Sequence, residues 1–174
     1  MTVHIAGHDP DAPPVYCRRW NFRRHEPVEP LTADEAQARD AAGEPYTVVP
    51  AAPRSGVPDV VIEIAWENGH AGVWFFDAYG RQCLHYSFRR SGEQLFLGGM
   101  TQWEYPDAGA ATLSGATCVS WFEFREDGGA RRVISDDTAQ QRTVEDRTGV
   151  DVSTQWEPVP GFGKWDSLAR WSRS

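Results

Sequence analysis

The sequence predicts a mainly β (α+β) fold, a curved antiparallel meander sheet or barrel of about 6–8 strands with a short helix near each end. Three observations carry that prediction. From residue 59 onward apolar residues recur at a period of two, glycine-containing turns separate these stretches at short intervals, and the preceding third is broken by proline around a single helix-capping signal.

Nine of the 12 prolines fall in residues 1–58 and 13 of the 16 glycines follow them. A fixed φ and a missing N–H at each proline oppose long regular elements, so residues 1–58 are expected to wrap the domain formed by 59–174 as part of the same unit. Within that segment Thr32 and Glu35 have capping-box spacing and Gly43 supplies a stop, which predicts a helix over about 32–42. Its apolar residues are alanines, so it covers a core only weakly.

The strands follow in order. Val60, Ile62, Ile64 and Trp66 alternate with Val61, Glu63, Ala65 and Glu67, the pattern of a half-buried strand. Asn68 and Gly69 both tolerate positive φ and turn the chain. Residues 73–76 are apolar on both faces; their aromatics either pair with a second copy or sit beneath the N-terminal segment. Residues 77–80 turn back into 81–90, with Leu84, Tyr86 and Phe88 on one side and Cys83, His85, Ser87 and Arg89 on the other. In 94–105, Gly98 and Gly99 invite a bulge. A loop of small residues spans 106–115, a hairpin joins 117–125 to 131–135 about residues 127–129, and weaker strand signals lie near 143–147 and 151–157. Trp165, Leu168 and Trp171 recur every three residues, predicting a C-terminal helix over about 163–172 that plugs one end or face of the sheet.

Composition limits function. A chain of 174 residues with 40% hydrophobic and 24% charged residues is one globular domain, and its net charge of -8 disfavours nucleic acid, whose binding depends on neutralising phosphates. A basic protein partner is favoured instead. The N-terminus has no basic, apolar signal pattern and no apolar run reaches the ~18 residues of a membrane span, so a cytoplasmic location is expected. Cys17, Cys83 and Cys118 are odd in number and lack C-x-x-C spacing, which predicts free thiols rather than a disulfide framework or a zinc site. No cofactor signature is present: no P-loop, no G-x-G-x-x-G after a strand and no G-x-S-x-G.

Candidate chemistry lies on the polar side of residues 81–90. If that side faces an aromatic-walled interior, His85 and Glu63 form a general acid/base pair, Arg89 is available for an anionic group and Cys83 lies beside them. If the sheet is open, the same residues are its wet face. His4, His8, Asp9 and Asp11 are close in sequence, yet Gly7 and Pro10 prevent a helix that would align them, so no metal is expected. His25 and His70 sit among loop signals and are expected in solvent. Arg18, Arg19, Arg23 and Arg24 interleave with Tyr16, Trp20 and Phe22; the other 13 basic residues against 25 acidic ones leave -12, so this patch is expected to lie across an acidic face of its own domain. The pairs 126–127, 136–137 and 145–146 read as solvated hairpin ends. Two functions follow. The first is an acidic cytosolic protein-binding domain of the immunity or inhibitor type that masks a basic partner, with Trp74, Trp103, Trp121, Glu67 and Glu123 as contact candidates. The second is a small β-barrel enzyme or binder of isomerase or cyclase type for an apolar or aromatic small molecule, using His85, Glu63 and Arg89.

Overall fold

A computed structural model describes residues 12–53 and 56–173. The elements in chain order are β1 (Val15–Asn21), β2 (Glu26–Leu31), α1 (Ala33–Ala42), β3 (Tyr46–Val49), β4 (Val60–Ala65), β5 (His70–Phe76), β6 (Gln82–Ser91), β7 (Gln94–Glu104), β8 (Cys118–Phe124), β9 (Ala130–Asp136), β10 (Gln141–Arg147) and β11 (Trp156–Pro158). They form one 11-stranded sheet in the order β10-β9-β8-β7-β6-β5-β4-β3-β1-β2, with β11 added beside β7. Every pairing is antiparallel.

The sheet is larger than the expected 6–8 strands, and it is open rather than a barrel, because its end strands β2 and β10 do not pair. Closure would need a full hydrogen-bonding edge on β2. Pro27 and Pro30 lie at positions of opposite parity, so one of them removes a donor from the outer edge, and Glu29 at φ 54 interrupts the extended path, so this strand is a poor edge for a further ladder. The N-terminal third contributes β1, β2 and β3 as well as α1, which is more than a wrap. Thr32 and Glu35 form the expected capping box, Gly43 closes the helix at φ 77, and Ala36 is its one buried residue.

Alternation places the main core on one face. Ile62 and Ile64, Ala71, Val73 and Phe75, Leu84, Tyr86 and Phe88, and Leu95 and Leu97 pack there with Tyr16, Tyr46 and Val48. The expected bulge occurs at Gly98: Ser87 pairs with Gly99 and Phe88 with Leu97.

The segment after β11 covers this core, but as turns and not as the expected helix over 163–172. Trp165 and Leu168 are buried at 3% and 0% exposure. Tyr16 stacks on Phe162 at 5.3 Å and Phe75 meets Trp171 edge-on at 5.3 Å. Two of the carbonyls that a helix would need, those of Ser167 and Leu168, are taken by the Arg173 side chain, and Tyr86 ties down the end of the segment. Tyr86 donates its hydroxyl to the Trp171 carbonyl at 2.6 Å, and Arg173 donates to the carbonyls of Ser167 at 2.7 Å and Leu168 at 3.0 Å. Arg173 also pairs with buried Glu157 and lies over the rings of Tyr86 and Phe88. Gly163 at φ 81 further breaks the helical path, since only glycine adopts that conformation without strain.

A second lock holds the loop after β7. Arg81 pairs with Asp77 at 2.7 Å, both side chains being nearly buried. Its guanidinium donates to the Asp107 carbonyl and lies over the rings of Tyr79 and Tyr105, 4.9 and 4.3 Å from their centroids.

Candidate functional site

The face opposite the main core carries the site. Cross-strand register sets Trp74 opposite His85, His85 opposite Thr101 and Thr101 opposite Trp121, so one row crosses β5 to β8. It continues through Val133 on β9 to Val144 on β10. The next row runs from Glu63 through Gly72, Ser87 and Gly99 to Glu123. Because facing residues in a sheet share a side, the candidates Trp74, Trp103, Trp121, Glu63 and Glu123 lie on one face together with His85.

Gly72 shapes the middle of this face. A methyl group there would lie 3.3 Å from His85 Nε2, 3.4 Å from His70 Nε2 and 3.5 Å from Glu63 Oε2, so the absent side chain lets three polar groups converge. Trp74 Nε1 donates to Glu63 Oε2 at 2.8 Å. Its indole stacks on His85 with centroids 3.9 Å apart and planes at 24°, and it lies nearly parallel to Trp103 at 6.1 Å. Burial, reinforced by the nearby charge of His70, pushes the His85 pKa down to about 4. His85 is therefore a neutral imidazole at pH 7.

That electrostatic setting limits the chemistry. A base whose conjugate acid titrates near 4 is weak at neutral pH, where general acid/base catalysis works best with a pKa near the working pH. Among the described residues no group of three or more His, Cys, Asp or Glu side chains is arranged to hold a metal. What the face does offer is ordered aromatic surface bounded by hydrogen-bonding groups.

The remaining sequence candidates separate. Arg89 is on the same face, opposite His70, but it is exposed and lies 5.8 Å over the Phe96 ring. Cys83 leaves the set: an irregularity in register between Phe75 and Phe76 interrupts the alternation, and its thiol sits buried 3.4 Å from the Phe75 carbonyl. Glu67 occupies the 3-10 turn Trp66–Asn68 between β4 and β5, away from the tryptophan row. His4, His8, Asp9 and Asp11 lie outside the described residues. His25 is not in free solvent as expected; it packs edge-on against Phe76 at 5.4 Å, and burial lowers its pKa. His70 is likewise drawn into the cluster at Gly72.

The arginine patch finds partners locally. Arg18 and Arg19 reach Glu29 at 3.4 and 3.8 Å, and Arg24 reaches Glu26 at 3.4 Å, so it is paired across its own β1–β2 hairpin and not spread over a distant acidic face. Phe22 from the same hairpin packs on Trp74 and Phe76, which places these two β5 aromatics beneath the N-terminal segment, while Phe75 lies on the other face against Trp171. Asp127 and Asp136 accept turn N–H groups of Gly129 and Ala139, as hairpin-end residues do. A cleft of about 220 Å³ lies on the opposite face, lined by Leu84, Tyr86, Met100, Gln102, Trp171 and Arg173.

His70 follows directly on the Asn68–Gly69 turn signal, which reads as loop, whereas the structure begins β5 at His70 and so puts it on the same face as Gly72. The available signal was Gly72, a glycine inside an apolar strand, which marks a close approach. No protein-family model, curated protein or solved structure matches this chain.

Proposed function

We propose that the chain is a binding protein of the immunity or inhibitor type, and that the tryptophan-bearing face of β5–β8 contacts a basic protein partner. One observation carries the reading: Trp74, Trp103 and Trp121 share a face whose outer part is unfilled, Trp121 being 42% exposed. Rigid aromatic side chains dominate the energetics of protein interfaces, and arginine accompanies them where lysine is depleted. Arg131 and Arg142 are on this face, and the whole chain has one lysine, Lys164. The face itself carries both charge signs, so the net charge of -8 acts at long range, by steering a basic partner and raising its association rate.

The convergence of Glu63, His70 and His85 favours a second reading, a binder of a small hydrogen-bonding aromatic molecule over Gly72. Purifying the tagged chain from its host and analysing bound material by mass spectrometry separates the two. A basic polypeptide whose affinity falls at least about tenfold with Trp121→Ala, and whose association slows with added salt, supports the first. A small molecule lost on Glu63→Gln, with no polypeptide, supports the second. Membrane association is not part of either reading, and among the described residues no helix is long and apolar enough to cross a bilayer.

A further inference from the structure

Beyond the tryptophan face, the two edges of the open sheet differ in a way that points to a second copy of this chain. An unpaired edge strand exposes a row of N–H and C=O groups that templates pairing with another strand. The β2 edge is interrupted by one of Pro27 and Pro30 and by the positive φ of Glu29. The β10 edge has neither proline nor bulge, and among the described residues its seven positions pair on one side only, with β9.

The sequence of β10 is complementary to itself. In an antiparallel pairing about a two-fold axis at Val144, Arg142 of each copy falls opposite Asp146 of the other, and Gln141 falls opposite Arg147. Val144 meets its own equivalent. Arg142, Val144 and Asp146 share the tryptophan face, so the pairing would join the rows Trp121–Val133–Val144 of two molecules and cover Val144, now 44% exposed. Among the described residues Arg142 has no ion-pair partner, while Asp146 holds only an exposed contact with Arg131 at 3.6 Å. Opposite charges directly across a strand pair stabilise it and like charges oppose it.

We infer that the chain forms a two-fold homodimer by antiparallel β10–β10 pairing centred on Val144. The remaining edge, on β11, spans only three residues and ends in Pro158, so with one long edge per molecule the assembly closes at two copies and does not extend into a fibre. A contact of one strand pair lies at the weak end of specific interfaces, which sets dissociation in the micromolar range.

Sedimentation equilibrium of the full chain from about 5 to 200 µM reads this directly. The wild type is expected to pass from monomer to dimer and no further. Arg142→Asp, a change at an exposed position, places two like-charge pairs across the axis and weakens association at least about tenfold, equivalent to about 1.4 kcal/mol. Asp146→Arg does the same. Combining R142D with D146R restores opposite charges and returns the dissociation constant to within about threefold of wild type. Circular dichroism confirms that each variant is folded. A wild type that stays monomeric, or an R142D variant that dimerises normally, would each overturn the proposal.

Discussion

Acidification should destabilise this protein through His85 before its carboxylates titrate. In the unfolded chain the imidazole binds a proton with a pKa near 6.5, whereas in the folded chain burial and the adjacent His70 hold it near 4. The unfolded state therefore binds more protons between these values, and stability rises with pH across the window. It is complete above about pH 6.5 and is lost progressively as pH falls towards 4. At pH 5 the difference amounts to about 2 kcal/mol. With a urea m-value of about 2 kcal/mol/M for a chain of this size, the unfolding midpoint should drop by about 1 M between pH 7.5 and pH 5. His85→Phe retains a ring against Trp74 and removes the titration. Its midpoint should fall much less over the same range, the residue coming from His25, whose pKa burial also lowers. Equal pH dependence in the wild type and H85F would refute the burial argument for this site.

Two further outcomes follow from buried groups. Arg81→Ala leaves the Asp77 carboxylate nearly buried without its partner and empties the space between Tyr79 and Tyr105; a loss of about 3 kcal/mol is expected in urea unfolding, and a loss below about 1 kcal/mol would show that the pair is not desolvated. Burial pushes the thiols of Cys17 and Cys83 up to about 11 and 12, and Cys118 alone is not fully buried. Burial and the nearby Glu104 and Asp136 carboxylates raise the Cys118 thiol pKa as well, so in native buffer a disulfide reagent should label Cys118 alone, faster as pH rises, and the other two only on unfolding; labelling of all three in native buffer would contradict the core assignment.

Much of the sheet was legible because its cause is local. The alternation of Ile62 and Ile64 with Glu63, the turn glycines at 69, 80 and 128, and the bulge at Gly98 are properties of a few neighbouring residues, and the structure places each where the pattern indicates. The capping box of Thr32 and Glu35 is equally local. What sequence could not supply depends on long-range pairing. β1 and β3 form because they find each other and β4, although the intervening prolines argue for irregular chain. The C-terminal spacing of Trp165, Leu168 and Trp171 is that of a helix, yet Arg173 takes the Ser167 and Leu168 carbonyls from outside and Gly163 at φ 81 breaks the path, so buried turns replace it. The site divides the same way. His85 and Glu63 were visible from alternation. Cys83 was misplaced by a register irregularity beside Phe76, and His70 was missed because the Asn68–Gly69 turn signal reads as loop, whereas β5 begins at His70, two residues from Gly72 on the same face.

Side-chain oxidative footprinting of the protein, alone and saturated with the polypeptide recovered from its host, tests the binding face most directly. Trp121, 42% exposed, and Tyr79, 63% exposed at the β5–β6 turn, are both open to oxidation in the free protein, whereas Trp165 at 3% is shielded throughout. If the tryptophan face is the contact surface, complex formation protects Trp121 and leaves Tyr79 unchanged. Protection of Tyr79 with Trp121 still fully reactive would place the interface elsewhere and contradict the assignment.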